Sequence, residues 1–272
     1  MVDDNSTDHS AKVIDRYANS ITSLKGEGKG GCAARNLAWK QSSGEWIQFL
    51  DGDDYLEKGK LLSNLKAAEQ ETDVVYSPIL EENWKSGQPT KRIATEYAPE
   101  EDHALRWLRW KLCQTGGMLW RRQALESISG WNEAMPHCQD NELCLRGLQA
   151  ELNFTFDSRP QAIYRIHSEG TVCRKDPNAV VETKMKLQVS FLTWLEGRGR
   201  CSESHRNAVG QALLEGARSL ARSDLDRAAA LIKSYHDIVQ PSLTGPAAPL
   251  SYQMAYRLFG FEAAERIAAF RR

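Results

Sequence analysis

The chain lacks a dominant charge. Thirty-five lysines and arginines stand against 36 aspartates and glutamates, a formal net charge of −1, so no global field draws it to nucleic acid or an anionic surface. It also lacks a cysteine framework. Cys32, Cys113, Cys138, Cys144, Cys173 and Cys201 form no CxxC pair and read as reduced thiols rather than a disulfide scaffold. No apolar run approaches the ~20 residues of a membrane span. The start, Met1-Val2-Asp3-Asp4, is neither a basic nor an apolar leader, which makes the cytoplasm the expected location. Internal repeats and low-complexity tracts are absent too. What remains is a chain of 272 residues, long enough for one large domain or a domain with an appendage.

One stretch organises it. Trp46-Ile47-Gln48-Phe49-Leu50 is an apolar and aromatic run that ends abruptly in Asp51-Gly52-Asp53-Asp54. The run reads as a strand buried in a sheet, and open α/β sheets bind their ligands at the carboxyl ends of strands. In extended backbone Asp51 and Asp53 point to one side. Carboxylates so close raise each other's pKa unless a cation sits between them. Hard oxygen ligands of this kind suit Mg²⁺ or Mn²⁺ shared with a substrate phosphate. The same residues also fit a solvated acidic turn.

Around this stretch strands and helices alternate, the pattern of an α/β domain with a mostly parallel sheet. Gly26-Glu27-Gly28-Lys29-Gly30-Gly31 can bring backbone amides close to an anion but is not a P-loop. The helix that follows carries Arg35, either a surface charge or a forked donor for a diphosphate. Leu61, Leu62, Leu65 and Ala68 mark an amphipathic helix. Residues 73–77 read as a strand, residues 81–99 as a hairpin or loop excursion. Leu105, Leu108 and Leu112 belong to a helix whose Trp107 and Trp110 suit a core better than a sugar-stacking platform. Asp140 opens another helix, where it could serve only as the N-cap. Residues 154–156 and 162–167 read as a strand pair. From about Val180 the pattern is helical: Leu187, Phe191 and Leu195 on one helix, Leu213 and Leu220 on a second, residues 225–239 on a third. After a linker at 241–249, residues 252–272 mix aromatics and arginines, which fits a packed helix or an interfacial one at a membrane. The expected domains are 1–178 and 179–272.

Five stretches in order resemble family 2 glycosyltransferases, inverting enzymes of the GT-A fold. Val2-Asp3-Asp4-Asn5-Ser6-Thr7-Asp8 is similar to the VDDGSTD loop and Gly30 to Asn36 to the G-x-x-x-A-R-N helix start. Phe49 to Asp54 resembles the DxD motif, Gly130-Trp131-Asn132-Glu133 with Gln139-Asp140-Asn141-Glu142-Leu143 the GGWDE and EDWEL pattern, and Tyr164-Arg165-Ile166-His167 the basic stretch after it. The resemblance covers roughly residues 1–175. It implies a nucleotide-sugar site of Asp3, Asp4, Arg35, Asp51 and Gly52, with Asp4 on the nucleobase and Asp51 facing the ribose. It implies a divalent cation, Mn²⁺ or Mg²⁺, on Asp53 with His167, and Asp140 as the general base. His167 fits a structural histidine equally well. The donor implied is a nucleoside-diphosphate sugar, commonly a UDP-sugar, and the acceptor a glycan or glycolipid of the cell surface.

Two departures qualify the match. Gln139 stands where the family usually has an acid. Family members also carry a strand, a loop and a helix before the VDD loop, whereas this chain begins at Met1-Val2-Asp3, so neighbouring strands are expected to show unpaired edges. The chain is then either incomplete or a degenerate member, and a rival reading is a non-catalytic relative acting as a helical interaction module. A nucleotidyltransferase is a second rival, but it calls for a glycine-rich loop with a catalytic lysine after the first strand, which this sequence does not have.

Overall fold

The computed structural model describes residues 1–84, 92–94, 96, 101–112, 114–159, 161–166 and 176–270. It divides into two compact units, Met1–Tyr97 with Leu112–Glu169, and Ala98–Lys111 with Gly170–Arg272. The Trp-rich segment, expected in the first domain, thus groups with the C-terminal helices.

The first unit begins with β1 (Val2–Asp3), α1 (Ser10–Asp15), β2 (Leu24–Lys25) and α2 (Gly31–Gln41). Then come β3 (Trp46–Gln48), β4 (Tyr55–Leu56), α3 (Lys60–Ala67), β5 (Val74–Tyr76), β6 (Ile79–Asn83) and β7 (Arg92–Ala94). After a 3₁₀ turn at Thr115–Gly117 it continues with β8 (Met118–Arg121), α5 (Arg122–Ser127), α6 (Gln139–Gln149), β9 (Phe154–Phe156) and β10 (Ala162–Ile166); α4 lies in the other unit.

Three sheets result: β1-β2, β3-β8-β5-β9 and β4-β10-β6-β7. The core sits at β5, whose Val74, Val75 and Tyr76 are fully buried, with Trp120 of β8 against Phe154 of β9. The sheets are mixed rather than mostly parallel: four of the seven strand pairs among the described residues run antiparallel. A buried apolar run looks the same in either direction, and β8 enters between β3 and β5 opposite to both. The expected pairing of residues 154–156 with 162–166 does not form, because β9 joins β5 while β10 joins β6 and β4. The hairpin expected over 81–99 appears as β6 against β7. β1 pairs with β2 alone, and β3 pairs with β8 alone, among the described strands.

α3 faces the opposite way from its leucine pattern. Leu61, Leu62 and Leu65 are exposed, while Lys60, Ser63 and Asn64 are buried. Asp157, just past β9, is the reason. Ser63 Oγ donates to its carboxylate, Asn64 Nδ2 does so at 3.0 Å and Arg159 Nε at 3.0 Å. Burial opposes that charge, but these bonds outweigh it and hold the carboxyl below the usual range.

Lys60, 1% exposed, donates to Gln48 Oε1 at 2.6 Å, and burial pushes its pKa from 10.5 down to about 8. The unfolded chain therefore binds more protons than the folded one between those values. Stability rises as pH climbs from about 8 toward 10.5, and the penalty is fully present at pH 7. At about 1.4 kcal/mol per unit, less the loss of Gln48's donor, Lys60→Met is expected to add roughly 1–3 kcal/mol at pH 7. Urea unfolding at pH 7 checks it; a variant less stable than the parent would refute the account.

The second unit holds α4 (His103–Leu108), α7 (Pro177–Gly197), α8 (Glu203–Leu220), α9 (Leu225–Tyr235) and α10 (Leu250–Ala269). Here the helical spacing is realised directly: Phe191, Leu192, Leu195, Leu213, Leu214 and Leu220 are all buried. Trp107 is fully buried edge-on to Phe191 at 5.2 Å, a core residue as expected. Asp102 caps α4, and Ser202 opens α8 with a capping box to His205. Among the described residues no helix is long and apolar enough to cross a membrane.

Candidate active site

The site is assembled within the first unit, where β3 delivers its acidic end. Residues 51–54 form a tight turn closed by Asp54 N–H donating to Asp51 O at 3.1 Å, not the extended backbone expected. Turn chemistry of Asp and Gly prevails over strand continuation here. Asp53 is exposed, and among the described residues its carboxylate has no hydrogen-bond partner. Asp54 points inward, accepting from Arg165 N at 2.9 Å and Gln114 Nε2 at 3.3 Å. Burial, then the charges of Asp53 and Asp51, push its pKa up to about 6. Arg165 grips the turn from β10: its Nε donates to Asp53 O, and its guanidinium lies 5.8 Å from the Tyr55 ring and 5.5 Å from the Trp84 ring.

Asp51 is held by Arg35 of α2, whose Nη2 donates to Oδ1 at 2.5 Å. The other guanidinium arm donates to Gln139 Oε1 at 3.1 Å, so one side chain ties the acidic turn to the start of α6. Its plane sits 4.6 Å over the ring of Trp131, which meets Phe49 edge-on at 5.1 Å. Trp131 is buried, and its Nε1 has no hydrogen-bond partner among the described residues.

Asp140 is the second residue of α6, not its N-cap; that place is taken by Cys138 at φ 55°. Its Oδ1 accepts from Asn141 N at 2.9 Å and Asn141 Nδ2 at 3.1 Å. Burial raises its pKa, with Asp51 acting in the same direction and Arg35 against. A carboxylate so placed is readied to take a proton.

The glycine-rich loop finds its anion inside the chain. Asp4 Oδ1 accepts from Gly28 N at 2.9 Å and Oδ2 from Gly30 N at 2.7 Å. Both glycines have positive φ, and a Cβ on Gly26 would lie 2.4 Å from Asp4 Oδ1. Asp3 turns aside to accept from Ser6 N at 3.0 Å, and hydrogen bonds from Ser6 lower its pKa. The structure thus brings Arg35, Asp51, Gly52, Asp53 and Asp140 together and gives Asp4 a loop-fixing contact. His167 lies outside the described residues.

Residues 1–129 match the profile of Glycosyl transferase family 2. This stretch belongs to that family. Poly(ribitol-phosphate) beta-N-acetylglucosaminyltransferase TarS of Staphylococcus aureus is 34% identical over 84 residues, 29% of this chain and 14% of that one. The putative glycosyltransferase EpsH of Bacillus subtilis is 26% identical over 216 residues, 75% of this chain and 62% of its own. The chain thus matches less than two thirds of the length of either relative. Among solved structures, S. aureus TarS in complex with UDP-GlcNAc superposes with a TM-score of 0.56 at 15% identity, covering 99% of this chain and 81% of that one. The mannosyltransferase PcManGT of Pyrobaculum calidifontis, in complex with GDP-Man and Mn²⁺, gives 0.53 at 17%, covering 99% and 75%. The fold is that of GT-A glycosyltransferases.

Three residues of this candidate site were not singled out from sequence. Trp131 and Arg165 lay inside quoted motifs, where an aromatic and a cation beside acids were a usable signal. Gln139 stood out only as a departure, yet it receives the second arm of Arg35. Gly130 holds the Trp131 loop in place. At φ 65°, a Cβ there would lie 2.7 Å from Asn36 Oδ1 and 2.9 Å from Trp39 Nε1. Asn36 in turn accepts from Trp131 N at 2.9 Å and donates to Trp131 O at 2.8 Å. Gly130→Ala is expected to cost about 2–4 kcal/mol through strain and clash. Thermal unfolding is the check, and an unchanged midpoint would refute it.

Proposed function

We propose that the chain transfers a sugar from a nucleoside-diphosphate donor to an acceptor hydroxyl, with inversion at the anomeric carbon, in the building of a cell-surface polysaccharide or glycolipid. The observation that carries this reading is Asp140, a carboxylate raised in pKa by burial, linked through Gln139 and Arg35 to the acidic turn. Asp140 takes the proton from the attacking hydroxyl while the nucleotide departs from the opposite face of the sugar. Asp4 and the loop it fixes receive the nucleobase, Asp51 faces the ribose, and Arg35, whose two arms hold Asp51 and Gln139, turns its remaining N–H groups to the diphosphate.

The donor set fits a divalent cation. Asp53, exposed at the corner of the turn, is a hard oxygen ligand of the type Mn²⁺ and Mg²⁺ accept, and it would hold the ion with His167 while Asp51 stays paired with Arg35. Among the described residues no group of three or more His, Cys, Asp or Glu side chains is placed to hold a metal ion, so the donor's phosphates would have to supply further ligands. Such an ion neutralises charge on the departing diphosphate. A cytoplasmic site of action follows from the nucleotide-sugar donor. TarS bound to UDP-GlcNAc supports a UDP-sugar, and PcManGT bound to GDP-Man and Mn²⁺ supports the cation.

The test is release of nucleoside diphosphate from a panel of UDP- and GDP-sugars, with and without polyol-phosphate and glycan acceptors. Turnover with one donor, stimulated by an acceptor, is the expected result. No release from any donor and no nucleotide binding would leave the non-catalytic helical module as the better reading.

A further inference from the structure

α10 is apolar on both sides. Its inner side is used: Tyr252, Ala255, Phe261 and Ala264 are buried in the second unit. Its outer side carries Leu250, Met254 and Leu258 at successive i, i+4 spacing, 78%, 65% and 70% exposed, so the three form one line along the helix. Gly260, at φ 79° and ψ 179°, breaks the helix just after Phe259, which is 65% exposed. Phe270 at the helix end is 94% exposed. Six of the 14 exposed large hydrophobics described in the chain fall between Leu250 and Phe270, a concentration beyond the scattered apolar residues of an ordinary surface.

The charges around this crest are mainly positive. Arg257 is exposed on the outer side, three residues on from Met254. From Leu250 to Arg272 the sequence holds four arginines (Arg257, Arg266, Arg271 and Arg272) against Glu262 and Glu265, in a chain of net charge −1. Glu265 is buried and already paired with Arg218 at 2.6 Å. This leaves Glu262 as the exposed acid of the segment, 3.9 Å from Arg266 in an exposed pair, and Arg257 as its exposed cation outside any ion pair among the described residues. Beside the crest, between α9 and α10, runs a groove of about 810 Å³ with Phe259, Lys233, His236 and Arg266 along it, and Asp226 and Glu262 as its acids.

We propose that this crest docks the protein on an anionic lipid leaflet. Leu250, Met254, Leu258 and Phe259 enter the boundary between headgroups and acyl chains, and Arg257, Arg266 and Lys233 meet the headgroup phosphates. An amphipathic helix lying in the interface binds by this combination of apolar insertion and cationic contact. A second copy of the chain fits less well. The crest is one helix wide and offers six apolar side chains, whereas a stable protein interface takes about 20–30 residues a side. The proposal goes beyond sugar transfer, and its test needs neither nucleotide nor acceptor, so the two stand or fall separately.

The experiment is flotation of the full chain with vesicles of phosphatidylcholine alone or mixed with phosphatidylglycerol, at low and high salt. Binding is expected to the anionic vesicles and to weaken with salt. Leu258→Asp should reduce it by about ten- to a hundredfold, the worth of one buried leucine, and Arg257→Glu by about fivefold or more. Both side chains are exposed, so unchanged circular dichroism is expected and verifies the fold. Failure to bind anionic vesicles, equal binding to neutral ones, or binding untouched by both variants would overturn the proposal. So would a dimer in solution that Leu258→Asp dissociates without any vesicle binding, since the crest would then be a self-association surface.

Discussion

Asp140→Asn is expected to lower sugar transfer by about 10²–10⁴-fold, the usual worth of a positioned general base, while affinity for the nucleotide sugar stays nearly unchanged. The amide keeps the shape of the side chain, and its oxygen can still accept from Asn141 N–H as the carboxylate does. What it loses is the capacity to take a proton. The competing assignment is a carboxylate that serves only the first turn of α6, where it meets the helix dipole and contributes about 0.3–1 kcal/mol. On that assignment the variant melts slightly earlier and turns over normally, so transfer rate and melting temperature measured on one preparation separate the two. The pH profile is a second readout. Transfer falls as pH drops through the pKa of Asp140, and burial places that limb above the ordinary carboxylate range. Arg35 opposes the rise, so Arg35→Met should move the limb to still higher pH. An unmoved limb in Arg35→Met, with activity remaining, would detach Arg35 from the base.

Sequence carried the second unit furthest. Leu187, Phe191 and Leu195 repeat at helical spacing, with Phe191 and Leu195 fully buried, and a period of about 3.6 residues needs no distant partner to be realised as a buried face. In the first unit the same rule failed at α3. Its leucines point outward because Asp157, more than 90 residues away, requires hydrogen bonds from Ser63 and Asn64. A local pattern cannot register a partner that the fold supplies later. Strand direction was hidden for a related reason: Met118–Arg121 is as apolar as a parallel core strand yet runs antiparallel to both neighbours.

The candidate site was legible as a set of residues more than as an arrangement. The end of β3, the arginine of α2 and the start of α6 do converge, because a loop that ends in acids and a helix that begins with one both face the carboxyl edge of the sheet. The contacts themselves were not legible. The anion held by Gly28 and Gly30 proved to be Asp4, within the chain, and Arg35 reaches Asp51 and Gln139 together. Composition can say that a forked donor and a carboxylate are present; only the fold says which pair meets.

Removal of divalent cations is expected to weaken UDP binding by roughly a hundredfold or more, since charge neutralisation of this kind is worth several kcal/mol and each 1.36 kcal/mol is tenfold. The diphosphate would otherwise approach Asp51, Asp53 and Asp54 with like charge against like. Arg35 offsets only part of this, because it is already paired with Asp51. Calorimetric titration with UDP in EDTA, then with Mn²⁺ restored, measures the effect; equal affinities would remove the cation from the site. Asp53→Ala separates ligation from architecture. Its carboxylate is exposed and bonds to none of the described residues, so the variant should fold and bind UDP as the parent does in EDTA, with no gain on adding Mn²⁺. Asp54→Ala is the contrast. It strips the buried acceptor of Arg165 N and Gln114, and its first effect should be on the melting temperature. If Asp53→Ala still gained affinity from Mn²⁺ as the parent does, the cation would have to be held elsewhere, and Asp53 would be no more than the exposed corner of a turn.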